Sequence, residues 1–242
     1  MNKSLISKFS FVLLAVLAVT FAGCNKDDDK GDGSSVVSGN KITVTVAGVG
    51  DKVDNVRVEL YYEYYDSEYD YESYDYEVIA EAEFKNNTFT VELPATLDSK
   101  FLHSITEDYE GEGVNISNPD AKISDELDFE AYKGSNYVGY FYYENYEGDN
   151  QTDVWIVYAD RDVSITGTYS YEYSSYTQRY NVNLKKGWNY VSDVLISGNK
   201  EEGNYIYEES TSIPAGVKWI FESDSYYKSA EASPKKVKGA KL

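Results

Sequence analysis

Apolar and polar residues alternate with period two along most of the chain, the pattern of strands that bury one face. Ile42-Thr43-Val44-Thr45-Val46 alternates without a break. Val56, Val58, Leu60, Tyr62 and Tyr64 fall on one face of the next segment, with Arg57, Glu59, Tyr61 and Glu63 on the other. The returning segment sets Tyr74, Tyr76, Val78, Ala80, Ala82 and Phe84 on one line, and Asp75, Glu77, Glu81 and Glu83 on the line that meets water. Lys85-Asn86-Asn87 supplies turn residues, and residues 88–93 form a further strand that Pro94 stops. Later strands are expected over residues 137–143, 153–158, 163–169, 177–184, 188–196 and 217–221, with Lys185-Lys186-Gly187 as a hairpin turn between two of them. No stretch shows sustained helical spacing with caps. The pattern predicts an all-β chain, an antiparallel β-sandwich with long hairpins. It spans residues 41–223, either as one large domain or as two that meet near residues 105–120.

The N-terminus is patterned differently. Lys3 and Lys8 precede an uninterrupted apolar stretch over residues 11–19. A membrane-spanning helix needs roughly 20 apolar residues, whereas the apolar part of a secretory signal needs roughly 7–15. Small residues then lead to the single cysteine, in Phe21-Ala22-Gly23-Cys24. That tetrad resembles the lipobox of bacterial lipoproteins, which implies cleavage before Cys24 and a lipid anchor on its sulfur. Residues 1–23 are then a signal peptide and residues 24–40 a lipidated, Gly- and Ser-rich flexible tether. Lys26, Asp27, Asp28 and Asp29 follow the cysteine closely. They resemble the export signal of Bacteroidetes surface lipoproteins, which implies an outer-membrane protein displayed on the outer leaflet and facing the extracellular space. The other reading of these charges is a solvated linker.

Within the body, Val56-Arg57-Val58-Glu59-Leu60 and Phe89-Thr90-Val91-Glu92-Leu93-Pro94 resemble the transthyretin-like or collagen-adhesin B-type repeats of bacterial surface proteins. The resemblance implies an immunoglobulin-like or transthyretin-like sandwich for residues 42–94 and no activity. Residues 159–167 and 183–189 resemble small surface lipoproteins of gut Bacteroidetes, which implies location and fold only.

Charge narrows the choice of partners. Of 22 Lys and Arg, two leave with the signal, so 20 face 42 Asp and Glu in the mature chain, a net charge of −22. Such a surface repels nucleic acid, so the membrane is engaged through the lipid alone. Residues 224–242 lose the alternation and end in Pro234-Lys235-Lys236-Val237-Lys238-Gly239-Ala240-Lys241-Leu242, read as a disordered basic tail.

Candidate chemistry centres on tyrosine. Residues 61–76 read Tyr-Tyr-Glu-Tyr-Tyr-Asp-Ser-Glu-Tyr-Asp-Tyr-Glu-Ser-Tyr-Asp-Tyr, at the tip of the long hairpin. Asp66, Glu68, Asp70 and Glu72 recur at every second residue, with Tyr69 and Tyr71 pointing the other way. Three readings stay open. Tyrosine rings and carboxylates together suit a glycan; carboxylate oxygens suit calcium, although the glycine-bearing loop of such sites is missing; and the segment also reads as a solvated hairpin extension of β-forming residues. The glycan reading nominates Tyr69, Tyr71 and Tyr74, and Trp188 as the platform among the tryptophans, with packing the favoured reading of Trp188 itself, while Trp155 and Trp219 read as core. A second tyrosine cluster occupies residues 169–176. His103 stands without a nucleophile elbow or metal-ligand partner around it, a Ser-His-Asp arrangement stays open because triads are set by geometry, and no phosphate loop, zinc spacing or redox motif occurs. The sequence thus reads as a non-enzymatic binding or adhesion module for a glycan or a surface protein, without cofactor. The alternatives are a subunit of a cell-surface assembly joined by strand addition, and a glycoside hydrolase using an Asp/Glu pair.

Overall fold

The computed structural model describes residues 35–66, 71–109, 111–146, 151–170, 176–198 and 204–224. The signal segment, Cys24, Lys26, Asp27, Asp28, Asp29, Tyr69 and the tail beyond residue 224 lie outside these residues. The strands, in chain order, are Ser35–Ser38 (β1), Lys41–Thr45 (β2), Asn55–Asp66 (β3), Tyr71–Glu83 (β4) and Thr88–Glu92 (β5). There follow His103–Ser104 (β6), a five-residue helix Ile105–Tyr109 (α1), Val114–Ile116 (β7), Lys122–Ile123 (β8) and Asp128–Lys133 (β9). The rest are Asn136–Asn145 (β10), Thr152–Ala159 (β11), Val163–Ser170 (β12), Tyr176–Leu184 (β13), Gly187–Ser197 (β14), Tyr205–Ser210 (β15) and Lys218–Ser223 (β16). The chain is all-β, as the alternation predicts. No helix among the described residues is long and apolar enough to cross a membrane.

A three-stranded sheet, β1-β2-β5, lies over a larger sheet ordered β4-β3-β9-β10-β11-β14-β15-β13-β12-β7. Ile42, Val44, Phe89 and Val91 from the small sheet meet Val56, Val58, Leu60, Phe129, Phe141 and Trp219 from the large one. Burying each such side chain contributes about 1.5–3 kcal/mol. Within the large sheet β11 is apolar at nearly every position, because both of its faces are covered. Val154 and Ile156 enter this first core, while Val157 and Ala159 enter a second one with Ile165, Val182 and Leu184.

Three expectations are corrected. Within the segment read as a spacer, Ser35–Ser38 pairs with β2, from Ser35 opposite Val44 to Ser38 opposite Lys41. The open edge of β2 gives this short run a partner that its composition does not announce. Lys185-Lys186-Gly187 is not a hairpin turn. β13 and β14 diverge from it, and β15 fills the wedge, parallel to β13 and antiparallel to β14. The corner's backbone groups are satisfied by side chains instead of by a ladder. Asn189 Oδ1 accepts from the Lys185 N–H at 2.8 Å, and Asp162 accepts from the Lys186 N–H at 2.9 Å. The β13–β15 ladder is also the one parallel pairing among the described strands, within an otherwise antiparallel fold.

The third correction concerns β4. Val58 opposes Ala80 but Glu59 opposes Val78, which leaves Ile79 as an extra residue in a β-bulge. One extra residue reverses the faces of everything beyond it. Tyr74, Tyr76 and Val78 therefore leave the core side, where strict alternation placed them, and are 64%, 48% and 40% exposed. They share the outer face with Tyr61, whose ring lies 5.7 Å from that of Tyr74 and 5.8 Å from that of Tyr76.

Candidate functional site

The outer face of β3, β9 and β10 carries the residues that alternate away from the first core. Cross-strand register aligns them in rows: Glu81 of β4, Arg57 of β3, Glu130 of β9, Tyr140 of β10 and Glu222 of β16 stand side by side. The next row places Val78, Glu59 and Asp128 together. Rows of this kind bring residues far apart in sequence into contact without a loop.

The sheet forks at one point on this face. Along one edge β10 pairs with β9 as far as Phe141 opposite Phe129, then with β11 from Tyr143 opposite Val154. Its other edge holds β16 from Gly139 opposite Ser223 to Glu144 opposite Lys218. Tyr142 sits where β9 and β11 part. A cleft of about 600 Å³ opens there. Glu59, Glu126, Asp128 and Glu130 supply its carboxylates, and Tyr76, Tyr137, Tyr140, Tyr142 and Trp155 its outer rings. Phe129, Phe141, Tyr143 and Trp219 line it from the core side.

The rings are held in place. The Tyr140 and Tyr142 hydroxyls both donate to Glu222 Oε2, at 3.0 and 3.2 Å, and their ring centroids are 5.5 Å apart. Burial, then the charges of Glu144 and Glu222, pushes the Tyr142 phenol up to about 12. Tyr132, at the edge of this face, donates to Glu130 Oε2 at 2.6 Å and carries the Arg57 guanidinium 4.2 Å above its ring. Trp219 stacks on Tyr143 at 5.2 Å with its plane tilted by only 9°. Its buried indole N–H meets no acceptor among the described residues.

The carboxylates repel one another. Burial raises the carboxyl of Glu59 first, and then the charge of Glu130. Asp128 is raised by burial and then by Glu130, and Glu126 by burial and then by Asp128. Among the described residues no lysine or arginine lines the cleft. The site thus offers apolar ring faces and several strong acceptors. Among the described residues no group of three or more His, Cys, Asp or Glu is arranged to hold a metal ion.

The residues nominated from sequence fall elsewhere or at the margin. Tyr69 lies outside the described residues, as do the calcium and hairpin-tip readings that depend on residues 67–70. Tyr71 opposes Asp66 by backbone register. Tyr74 is exposed on the same outer face, beside Tyr76, which reaches the cleft. Trp188 is anchored by its indole N–H to the Pro94 carbonyl at 2.8 Å and packs edge-on against Tyr158, which makes it structural. Trp155, expected in the core, is half-buried and lines the cleft. The cleft carboxylates escaped the reading of the sequence, although Leu127, Phe129 and Ala131 alternate with Asp128, Glu130 and Tyr132 in a signal that is plain once sought.

A smaller hollow of about 300 Å³ surrounds His103. His103 Nε2 lies 2.9 Å from Asp108 Oδ2, and Nδ1 lies 3.8 Å from Asp125 Oδ2. Compared with family models, with curated proteins and with solved structures, the chain gives no match.

Proposed function

We propose that this chain is a lipid-anchored binding module displayed on the outer membrane, that it acts without catalysis, and that it holds a glycan in the forked cleft. The observation that carries the reading is the cleft's composition. Ring faces of Trp155, Tyr140 and Tyr142 stand beside carboxylate acceptors. A sugar presents apolar C–H faces together with hydroxyls that both donate and accept, so it matches each of these features. The lipid expected on Cys24 would hold many copies on one membrane, so that weak single contacts add through avidity.

Affinity electrophoresis of the purified full chain against a panel of plant and host polysaccharides tests this. Retardation by at least one glycan is expected, with Trp155→Ala weakening it roughly tenfold, equivalent to about 1.4 kcal/mol. Retardation that survives both Trp155→Ala and Tyr142→Ala places the site elsewhere, and none across the panel refutes a glycan ligand. A second reading, a subunit added by strand pairing, draws on β4. This 13-residue strand ends the large sheet and pairs only with β3 among the described strands. Oligomers that form as concentration rises would favour it.

A further inference from the structure

Among the described residues the charge of the cleft is countered only in part, by the Arg57 guanidinium, which favours the ionised form of Glu59. Glu59, Glu126, Asp128 and Glu130 line it without a lysine or arginine among them. Arg57, on the neighbouring row, is engaged by Glu81 at 2.9 Å and by the Tyr132 ring. A neutral sugar entering the cleft would leave these carboxylates repelling one another in a site that already disfavours their ionised form. A ligand ammonium removes that penalty. It makes charge-assisted hydrogen bonds, roughly twice as strong as neutral ones, and the faces of Tyr140, Tyr142 and Trp155 attract a cation as well.

The rings separate two sources of that ammonium. A lysine side chain brings its three donors on a flexible stem, with no flat apolar face to lay on Trp155, Tyr140 and Tyr142. An amino sugar carries its cation and an apolar C–H face on one small ring.

We propose that the occupant of the forked cleft is a glycan with free, protonated amines, such as de-N-acetylated glucosamine units, and that the cleft selects these over their N-acetylated forms. The proposal rests on the reading of the cleft as a glycan site and names the class of sugar it takes. Acetylation removes the charge and places a bulky, neutral amide against carboxylates that it cannot neutralise.

Calorimetric titration of the purified full chain decides the matter, using three oligosaccharides of equal length: glucosamine with free amines, its N-acetylated form and a neutral glucan. The free-amine ligand is expected to bind roughly tenfold or more tightly than the acetylated one, the scale of one charge-assisted hydrogen bond. That advantage shrinks with added salt and disappears in Asp128→Asn/Glu130→Gln, a change that relieves repulsion and so leaves the thermal unfolding temperature unchanged or raised. Salt dependence measured on the unaltered chain separates the same outcomes without a variant. Equal affinity for the free-amine and acetylated ligands overturns the proposal while the glycan reading stands. Oligolysine binding as tightly as the amino sugar overturns it too. Failure of all three oligosaccharides and of the polysaccharide panel removes both.

Discussion

At the scale of single residues, His103 shows how a group without catalytic company still shapes the molecule. Its hydrogen bond to Asp108, and then the charges of Asp108 and Asp125, raise its pKa although partial burial opposes them. A histidine raised in the folded state stabilises fully below its unfolded value of about 6.5, and the contribution is lost as pH rises through the folded value. His103→Gln should therefore cost about 1 kcal/mol at about pH 5 and much less at about pH 9. Denaturant titrations at the two pH values check this, and an equal loss at both contradicts the ion-pair account. Asn86 and Asn87 make a different residue-scale point. Both adopt positive φ, 54° and 60°, between Lys85 and Thr88, which exchange both backbone hydrogen bonds at 2.9 and 3.0 Å. A two-residue turn of this hand accepts asparagine readily, which is why the sequence revealed it.

At the scale of elements, register and bulges decide which side chains meet. The extra residue Ile79 turns Tyr74 and Tyr76 outward, and the exchange of β9 for β11 beside Tyr142 opens the cleft. Gly139 holds that junction together. Its φ is +147°, and a Cβ there would stand 2.0 Å from the Glu222 carbonyl oxygen of β16. Gly139→Ala must push β16 away from β10, and with it Trp219 and the Glu222 that anchors Tyr140 and Tyr142. The expected loss is about 2 kcal/mol or more, together with weakened ligand binding. Thermal unfolding and titration of the variant measure both, and an unchanged melting temperature would show that the two strands can part freely.

At the scale of the whole molecule, acidity is concentrated by the fold as well as by composition. Register sets Glu144, Asp153, Asp193 and Glu209 in one row across β10, β11, β14 and β15. Like charges facing one another across strands destabilise a sheet, and the row is tempered by donors. Tyr146 donates to Asp153 at 2.7 Å, Gln178 donates to Asp193 at 2.8 Å, and Tyr109 donates to the buried Glu209. Burial pushes Glu144 and Glu209 up to about 7, and also raises Asp193, Glu59, Glu126 and Asp128. A carboxyl raised in the folded state binds its proton more tightly there than in the unfolded chain, so stability is lost as pH rises from about 4 to 5 through the raised values. His103 acts in the same direction. Asp54, Asp160 and Asp162 are lowered, and their contribution disappears only as pH falls below the ordinary aspartate range. Maximum stability is accordingly expected near about pH 4 to 5 with a decline toward neutrality. Glu209→Gln, which keeps an acceptor for Tyr109, should flatten that decline. Unfolding free energies measured across this range test the claim, and a maximum at neutral pH refutes it.

Period-two alternation by itself settled that the chain is built of strands, because each strand must bury one face and the sequence records that demand locally. It located β2, β3, β5, β10, β11, β12, β13, β14 and β16 within a residue or two. It did not show β6 or β8, which are too short to carry a period, nor β15, whose buried positions Glu209 and Ser210 are polar and satisfied by distant partners. The cleft was legible only as scattered acidic and aromatic residues. Only the tertiary structure decided which of them stand together, because cross-strand register, the bulge at Ile79 and the change of partner beside Tyr142 depend on residues distant in sequence.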